Sequence, residues 1–233
     1  MIRKILRFIR NLIIGFFVIT ILLVVIFRFV PPPITVFQTY RVFEQLFDKD
    51  KEVKLRKDWV SIEKISPNLV LAVISSEDQK FETHFGFDLE AMQKAFSHNK
   101  KGKKIRGAST ITQQTAKNLF LWPTRSYTRK ALEVYFTFLI EVIWSKERIM
   151  EMYLNIIEMG IGVYGAEEAS QYYFHKSAKN LNKDQAALIA ATLPSPRKYD
   201  PKRPSSFLNN RKDWIKRQMR NLGRPDIIKS IYD

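Results

Sequence analysis

Cysteine is absent from the 233 residues. No disulfide framework and no thiolate zinc site can form, so the chemistry does not depend on redox state. Histidine is scarce: His84, His98 and His175 are the only three. None stands at metal-ligand spacing from another, which argues against a protein-only metal site. Acidic residues are few beside basic ones, 23 against 39, giving a formal net charge of +16. That excess calls for an anionic partner, whether nucleic acid, an anionic membrane or a phosphorylated substrate. Period-two alternation persists nowhere, so half-buried strands are not expected. No repeat of roughly 20–50 residues is apparent. Hydrophobic content of 45% is ordinary for a packed core, so disorder is not the default.

What is present begins with an apolar run. Leu12 to Phe27 is interrupted only by Gly15 and Thr20, and Arg28, Phe29 and Val30 close it before Pro31–Pro32–Pro33. Residues 12–30, at about 1.5 Å each, span roughly 28 Å, close to a bilayer's hydrocarbon core. Arg3, Lys4, Arg7 and Arg10 precede the run and hold the N-terminus in the cytoplasm by the positive-inside rule. No small-x-small cleavage site precedes the prolines, so a retained anchor is expected rather than a cleaved signal. An outward-facing domain makes nucleic acid an unexpected partner. The expected division is a basic stub over 1–11, a transmembrane helix over 12–30, a juxtamembrane connector over 31–60 and one globular domain over 61–233.

Beyond the prolines the chain reads as helix after helix. Ile34 to Asp58 is either an amphipathic helix or a connector. Ser66–Pro67 pairs an N-cap with a proline at the first helical position. Asp88, then Ser109 or Thr110, Thr128, Ser145 and Asn182 open further helices. The helix from Thr128 to about Trp144 is nearly apolar all round and is expected to be central. Gly160, Gly162 and Gly165 mark a turn, and Gly223 caps a basic helix over Ser206–Asn221. The class is all-α, with room for a short hairpin in a loop.

Three stretches carry possible chemistry. Ser76 to Asp88 sets Glu77 and Asp78 at the end of the apolar helical run Pro67–Ile74, where a carboxylate is held firmly yet can face a cleft. Burial there would lift a general base's pKa toward working pH, although this stretch alone favours a solvated helix terminus, since most surface acids are only surface acids. In Arg106 to Phe120, Gly107 and Ala108 allow close backbone approach. Ser109 and Thr110 lie where a helix N-terminus attracts anions, and Gln113, Gln114 and Lys117 follow within two turns. The third stretch holds Arg125, Arg129, Lys130 and Glu133. Glu133, Thr137 and Glu141 form an i,i+4 polar stripe that faces either water or a cleft. Ser61-x-x-Lys64 and Ser97-x-x-Lys100 fit an acyl-enzyme pattern only by chance, since no Lys-Thr-Gly follows.

Together these stretches resemble the family-51 peptidoglycan glycosyltransferases, most closely their monofunctional, membrane-anchored members. The first motif resembles Glu77-Asp78-x-x-Phe81-x-x-His84-x-Gly86-x-Asp88. The second resembles Gly107-x-Ser109-Thr110-Ile111-Thr112-Gln113-Gln114, and the third Arg129-Lys130-x-x-Glu133. The fourth resembles Lys146-x-x-Ile149-x-Glu151-x-Tyr153-Leu154-Asn155, and the fifth lies within Gly160–Ala169. The likeness covers about Pro67 to Pro204. Glu168 and His175 depart from it without touching a chemistry-bearing motif.

The resemblance implies a lysozyme-like, two-lobed helical domain on one transmembrane helix in the bacterial cytoplasmic (inner) membrane, with the domain on the extracytoplasmic side. It implies polymerisation of lipid II onto a nascent glycan strand by inverting transfer, giving β-1,4 bonds and free undecaprenyl diphosphate, with no transpeptidase activity. By resemblance Glu77 is the general base, while Lys117 and Arg125 neutralise the diphosphate. Glu133 orients these cations or assists departure. Asp78, Phe81, His84, Ser109, Thr110, Gln113, Gln114 and Arg129 are the further substrate-binding residues. Mg or Mn could assist at the diphosphate, yet the sequence shows no dedicated ligands, and other cell-wall synthesis proteins are conceivable partners. A cell-wall glycoside hydrolase and an anchored binding protein for anionic polymers remain the rival classes. The first has no diphosphate for Lys117 and Arg125 to bind, and the second has no need of Glu77.

Overall fold

The N-terminal apolar run folds as one continuous helix, α1 (Ile2–Phe29), in a computed structural model that describes residues 1–48, 52–100, 102, 107–124 and 126–233. Nothing in the basic stub breaks the helix, so the stub is helical too, and 28 residues reach about 42 Å at 1.5 Å per residue. The apolar window of α1 has a mean hydropathy of 2.9 and is mostly unpacked. By length and composition this helix is long and apolar enough to cross a membrane. One face is docked, however. The Thr20 hydroxyl meets Tyr135 OH at 2.8 Å, Trp144 Nε1 donates to the Val24 carbonyl at 2.8 Å, and Arg148 Nη2 donates to the Phe27 carbonyl at 2.7 Å.

After the prolines comes α2 (Val36–Leu46), closed by a capping box in which Thr35 and Gln38 satisfy each other's backbone N–H groups. Then follow α3 (Pro67–Glu77), α4 (Leu89–Asn99), α5 (Ile111–Phe120), α6 (Tyr127–Ile143) and α7 (Lys146–Ile156). The remaining helices are α8 (Ala166–Phe174), α9 (Lys183–Thr192), α10 (Ser206–Leu222) and α11 (Asp226–Tyr232). Ser66, Asp88, Thr110, Ser145 and Asn182 cap their helices as the sequence suggests. For α6 the cap is Ser126 rather than Thr128. The expected hairpin is present as β2 (Glu158–Gly160) against β3 (Val163–Tyr164), and β1 (Arg56–Lys57) adds a parallel third strand on β3.

The all-α fold is built from two groups of helices. In one, α3 packs on α9 and α10, where Ala186, Ala187, Ala190 and Ala191 of α9 are buried and permit close approach. In the other, α5 packs on α6 and α7 and is covered by α2, while α6 also meets α1. Leu69, Val70, Val73 and Ile74 of α3 are shut away from water, and each such side chain contributes about 1.5–3 kcal/mol by burial.

Helix α6 buries polar side chains beside the apolar Phe136 and Ile140 and leaves other apolar side chains exposed. Glu133 and Thr137 are buried, and the buried Glu141 carboxylate accepts from Thr112 Oγ1 at 2.6 Å. The apolar residues Val134, Phe138 and Val142 point outward, 44–58% exposed.

Candidate active site

The two helix groups meet where the last turn of α3 abuts the first turn of α5. Glu77 ends α3 and Asp78 is its C-cap. The Asp78 carboxylate is buried. It accepts the N–H of Ile111, the first residue of α5, at 3.0 Å and His84 Nε2–H at 2.8 Å. An anion at a helix N-terminus is favourable, so Asp78 fastens the first motif to the second. The loop of the first motif is held from α6 and α7: Lys146 donates to the His84 carbonyl at 2.8 Å and to Glu141 at 2.9 Å. Thr110 Oγ1 donates to the Gly86 carbonyl at 2.7 Å.

Glu77 faces a cleft of about 790 Å³, whose walls include Lys94, Ser109, Gln114, Pro194, Arg211 and Trp214. Gln114 Nε2 donates to Glu77 Oε2 at 2.9 Å, and the Gln114 side-chain carbonyl in turn accepts the Tyr153 hydroxyl at 3.3 Å. Burial raises the Glu77 pKa above the ordinary carboxylate range. The Gln114 hydrogen bond and the Arg211 charge pull it partly back, and the neighbouring Asp78 charge pushes it up.

One turn further along α5, Lys117 belongs to a second polar cluster. Glu133 accepts from Arg129 Nη1 at 2.6 Å and from Lys130 Nζ. Arg129 Nε is buried with no acceptor among the described residues. Lys117 has no carboxylate within ion-pair distance among the described residues. Burial lowers its pKa, opposed by Glu133 and reinforced by Arg129, Lys130 and Arg41. Lys117, Arg129 and Lys130 thus set three cations against the single carboxylate Glu133.

A transglycosylase family profile matches residues 44–220. A biosynthetic peptidoglycan transglycosylase of Shewanella oneidensis is 48% identical over 98% of this chain and 97% of its own length. Its namesake in Bacteroides thetaiotaomicron is 51% identical over all of this chain and 94% of its own length. That of Haemophilus influenzae is 53% identical over 89% of this chain and 85% of its own length. The chain belongs to the transglycosylase family.

Within this transglycosylase the expected site residues separate into three groups. Glu77, Asp78, Ser109, Thr110 and Gln114 line the cleft, but the Asp78 carboxylate and the Thr110 hydroxyl are already engaged inside the protein. Lys117, Arg129 and Glu133 form the second cluster. Phe81, His84 and Gln113, expected at the substrate, do not line the cleft. Phe81 is wholly buried, His84 is turned onto Asp78, and Gln113 forms a capping box with Thr110. His84 and Gln113 thus shape the loop and start α5, while His84 Nδ1 is left without a partner among the described residues. Arg125 lies outside the described residues.

Sequence reasoning missed Arg211 and Trp214. Arg211 Nη2 donates to the Ser76 carbonyl at 3.4 Å, its guanidinium lies over Trp214, and its charge reaches Glu77. The basic character of α10 was the available signal, but nothing in it marked which arginine turns inward.

Proposed function

We propose that Glu77 is the general base of this peptidoglycan glycosyltransferase and that the Lys117 cluster receives the departing diphosphate. The enzyme polymerises lipid II into glycan strands. The acceptor's 4-hydroxyl attacks the anomeric carbon of the lipid-linked growing strand and gives its proton to Glu77. The C1–O bond to the lipid diphosphate breaks with inversion, and the electron pair leaves on the diphosphate. A diphosphate needs positive charge more than a proton, which electrostatic stabilisation supplies. Lys117, Arg129 and Lys130 bring that charge, and Glu133 holds the last two in place.

One observation carries the reading: α5 presents Gln114 to the base and Lys117 to the cation cluster, one turn apart. Residues at this spacing are about 5–6 Å apart at Cβ, which suits an inverting displacement, where the attacking and leaving oxygens stand on opposite faces of one anomeric carbon. The described residues bring no three metal-ligating side chains together. The described residues therefore supply no cage for Mg or Mn, and an ion held there would draw its ligands from the substrate's own phosphates.

The domain lies on the extracytoplasmic side, the basic N-terminus of α1 being in the cytoplasm. The exposed face of α6 continues the apolar surface of α1, to which it is docked through Tyr135. Leu89, Met92 and Phe96 expose a like stripe on α4, and Phe85 meets Phe138 across the gap. Lipid is the occupant that suits these faces, and it places the cleft where a lipid-linked substrate arrives.

The test is full-length protein in detergent with labelled lipid II, with and without Mg or Mn. Glycan polymer and released undecaprenyl diphosphate are expected. Shortening of preformed glycan without polymer would overturn the reading in favour of a hydrolase.

A further inference from the structure

The juxtamembrane helix α2 lies outside every motif, yet it lays one side chain against the leaving-group cluster. Phe37 is buried, and its ring centroid lies 5.8 Å from Lys117 Nζ and 5.1 Å from the Arg41 guanidinium carbon. Arg41 does not compete for the same role, because it is tied to Glu44 and stands 4.0 Å from Glu158. Lys117, by contrast, has no ion-pair partner among the described residues.

The nearby Glu133 acts on Lys117 but is already paired with Arg129 and Lys130, and a partly buried ammonium with no carboxylate in contact is expensive unless something else faces it. An aromatic face within about 6 Å supplies part of that compensation without neutralising the charge. A carboxylate in the same place would neutralise the cation and repel a diphosphate. The ring therefore stabilises a cation and leaves it available.

The position of the ring is set by α2, which is pinned at both ends. At the first turn Thr35 and Gln38 are both buried within their capping box. At the last, Gln45 accepts from the Lys54 N–H at 2.7 Å. The Pro31–Pro33 exit joins α2 directly to the anchor.

We propose that Phe37 is a positioning residue for the leaving-group cation: α2, carried by the membrane anchor, places its ring against Lys117 and holds that ammonium ready for the diphosphate of the lipid substrate. The inference rests on the role given to Lys117 above. It adds a part of the chain that the motifs do not reach, and it makes the juxtamembrane segment part of the site rather than a spacer.

The test is a double-mutant cycle on the full chain in detergent, reading equilibrium binding of a C15 prenyl diphosphate against the matching prenyl alcohol. Phe37→Leu keeps the apolar bulk and removes the aromatic face. It should weaken diphosphate binding about 3- to 30-fold, the range a cation–π contact supplies, and leave the alcohol unaffected. Phe37→Tyr should bind as the wild type does. In a Lys117→Met background, Phe37→Leu should have no further effect. Thermal unfolding of each variant separates loss of the fold from loss of the contact.

Unchanged diphosphate binding by folded Phe37→Leu would overturn the inference and leave the role of Lys117 standing. So would an equal loss in the Lys117→Met background, which would mean packing alone. Wild-type binding by Lys117→Met itself would overturn both the leaving-group role and the inference that rests on it.

Discussion

Glu77 and Gln114 are joined by a 2.9 Å hydrogen bond in which the amide donates and the carboxylate accepts. The bond stabilises the charged carboxylate against the burial that disfavours it. Glu77 is therefore held between two opposing influences, and changing either one should move the pH at which it titrates.

The pH dependence follows with a definite sign. A base acts only when deprotonated, so polymerisation should fall as pH drops through an apparent pKa above that of an ordinary glutamate. Gln114→Leu removes an influence that lowers this pKa. The acid limb of the kcat/KM profile should move to higher pH in the variant. A limb that stays in place would separate Gln114 from the titrating group.

The same burial predicts a conflict between stability and activity. The folded pKa of Glu77 is raised, so the folded protein holds a proton that the unfolded chain has released. This contribution to stability is present below the unfolded pKa and is lost as pH rises through the folded pKa. Glu77→Gln should melt higher than the wild type near pH 8, and the gap should close toward pH 4. Thermal unfolding in detergent at the two pH values checks this.

Lys117→Met should keep the fold and lower kcat by on the order of 10²-fold, as removal of one preorganised charge from a transition state does. Initial rates of lipid II polymerisation at saturating substrate measure it. An unchanged kcat would remove Lys117 from the leaving-group site.

Two structural substitutions should act at a distance from the chemistry. Lys146→Met leaves the Glu141 carboxylate buried without its 2.9 Å partner and should cost about 3–5 kcal/mol. Gly86→Ala meets a backbone at φ +74° and places a Cβ 2.7 Å from Thr137 Cγ2, costing about 1–3 kcal/mol. Denaturant titrations report both, and each should reduce activity only as far as it unfolds the protein.

The helices were legible in the sequence where local chemistry decides their ends: Ser66–Pro67, Asp88, Asn182 and Gly223 all stand at the expected boundaries. The start of α6 was less so, since Ser126 and Thr128 offer two hydroxyls two residues apart and only the folded backbone selects between them. The short α11 escaped notice because seven residues form a helix only through packing, here of the buried Ile227 and Ile228. The direction of the Glu133–Thr137–Glu141 stripe could not be read either, because periodicity assumes water outside. With α1 docked on α6, water is not its only surrounding, and Glu133 and Thr137 turn inward. Of the candidate site, the place of Glu77 at the end of α3 was legible, as was the i,i+4 pairing of Arg129 with Glu133. That Phe81, His84 and Gln113 turn away from the cleft was not, since the sequence pattern does not say which side chains pack inside the protein.

The most direct test of the account is single-turnover transfer of lipid II by the full-length protein, wild type beside Glu77→Gln. The amide is nearly isosteric with the carboxylate and cannot take the acceptor's proton at neutral pH. The account predicts polymer from the wild type and none from a folded Glu77→Gln that still binds the substrate. Polymer from both at similar rates would contradict Glu77 as the base.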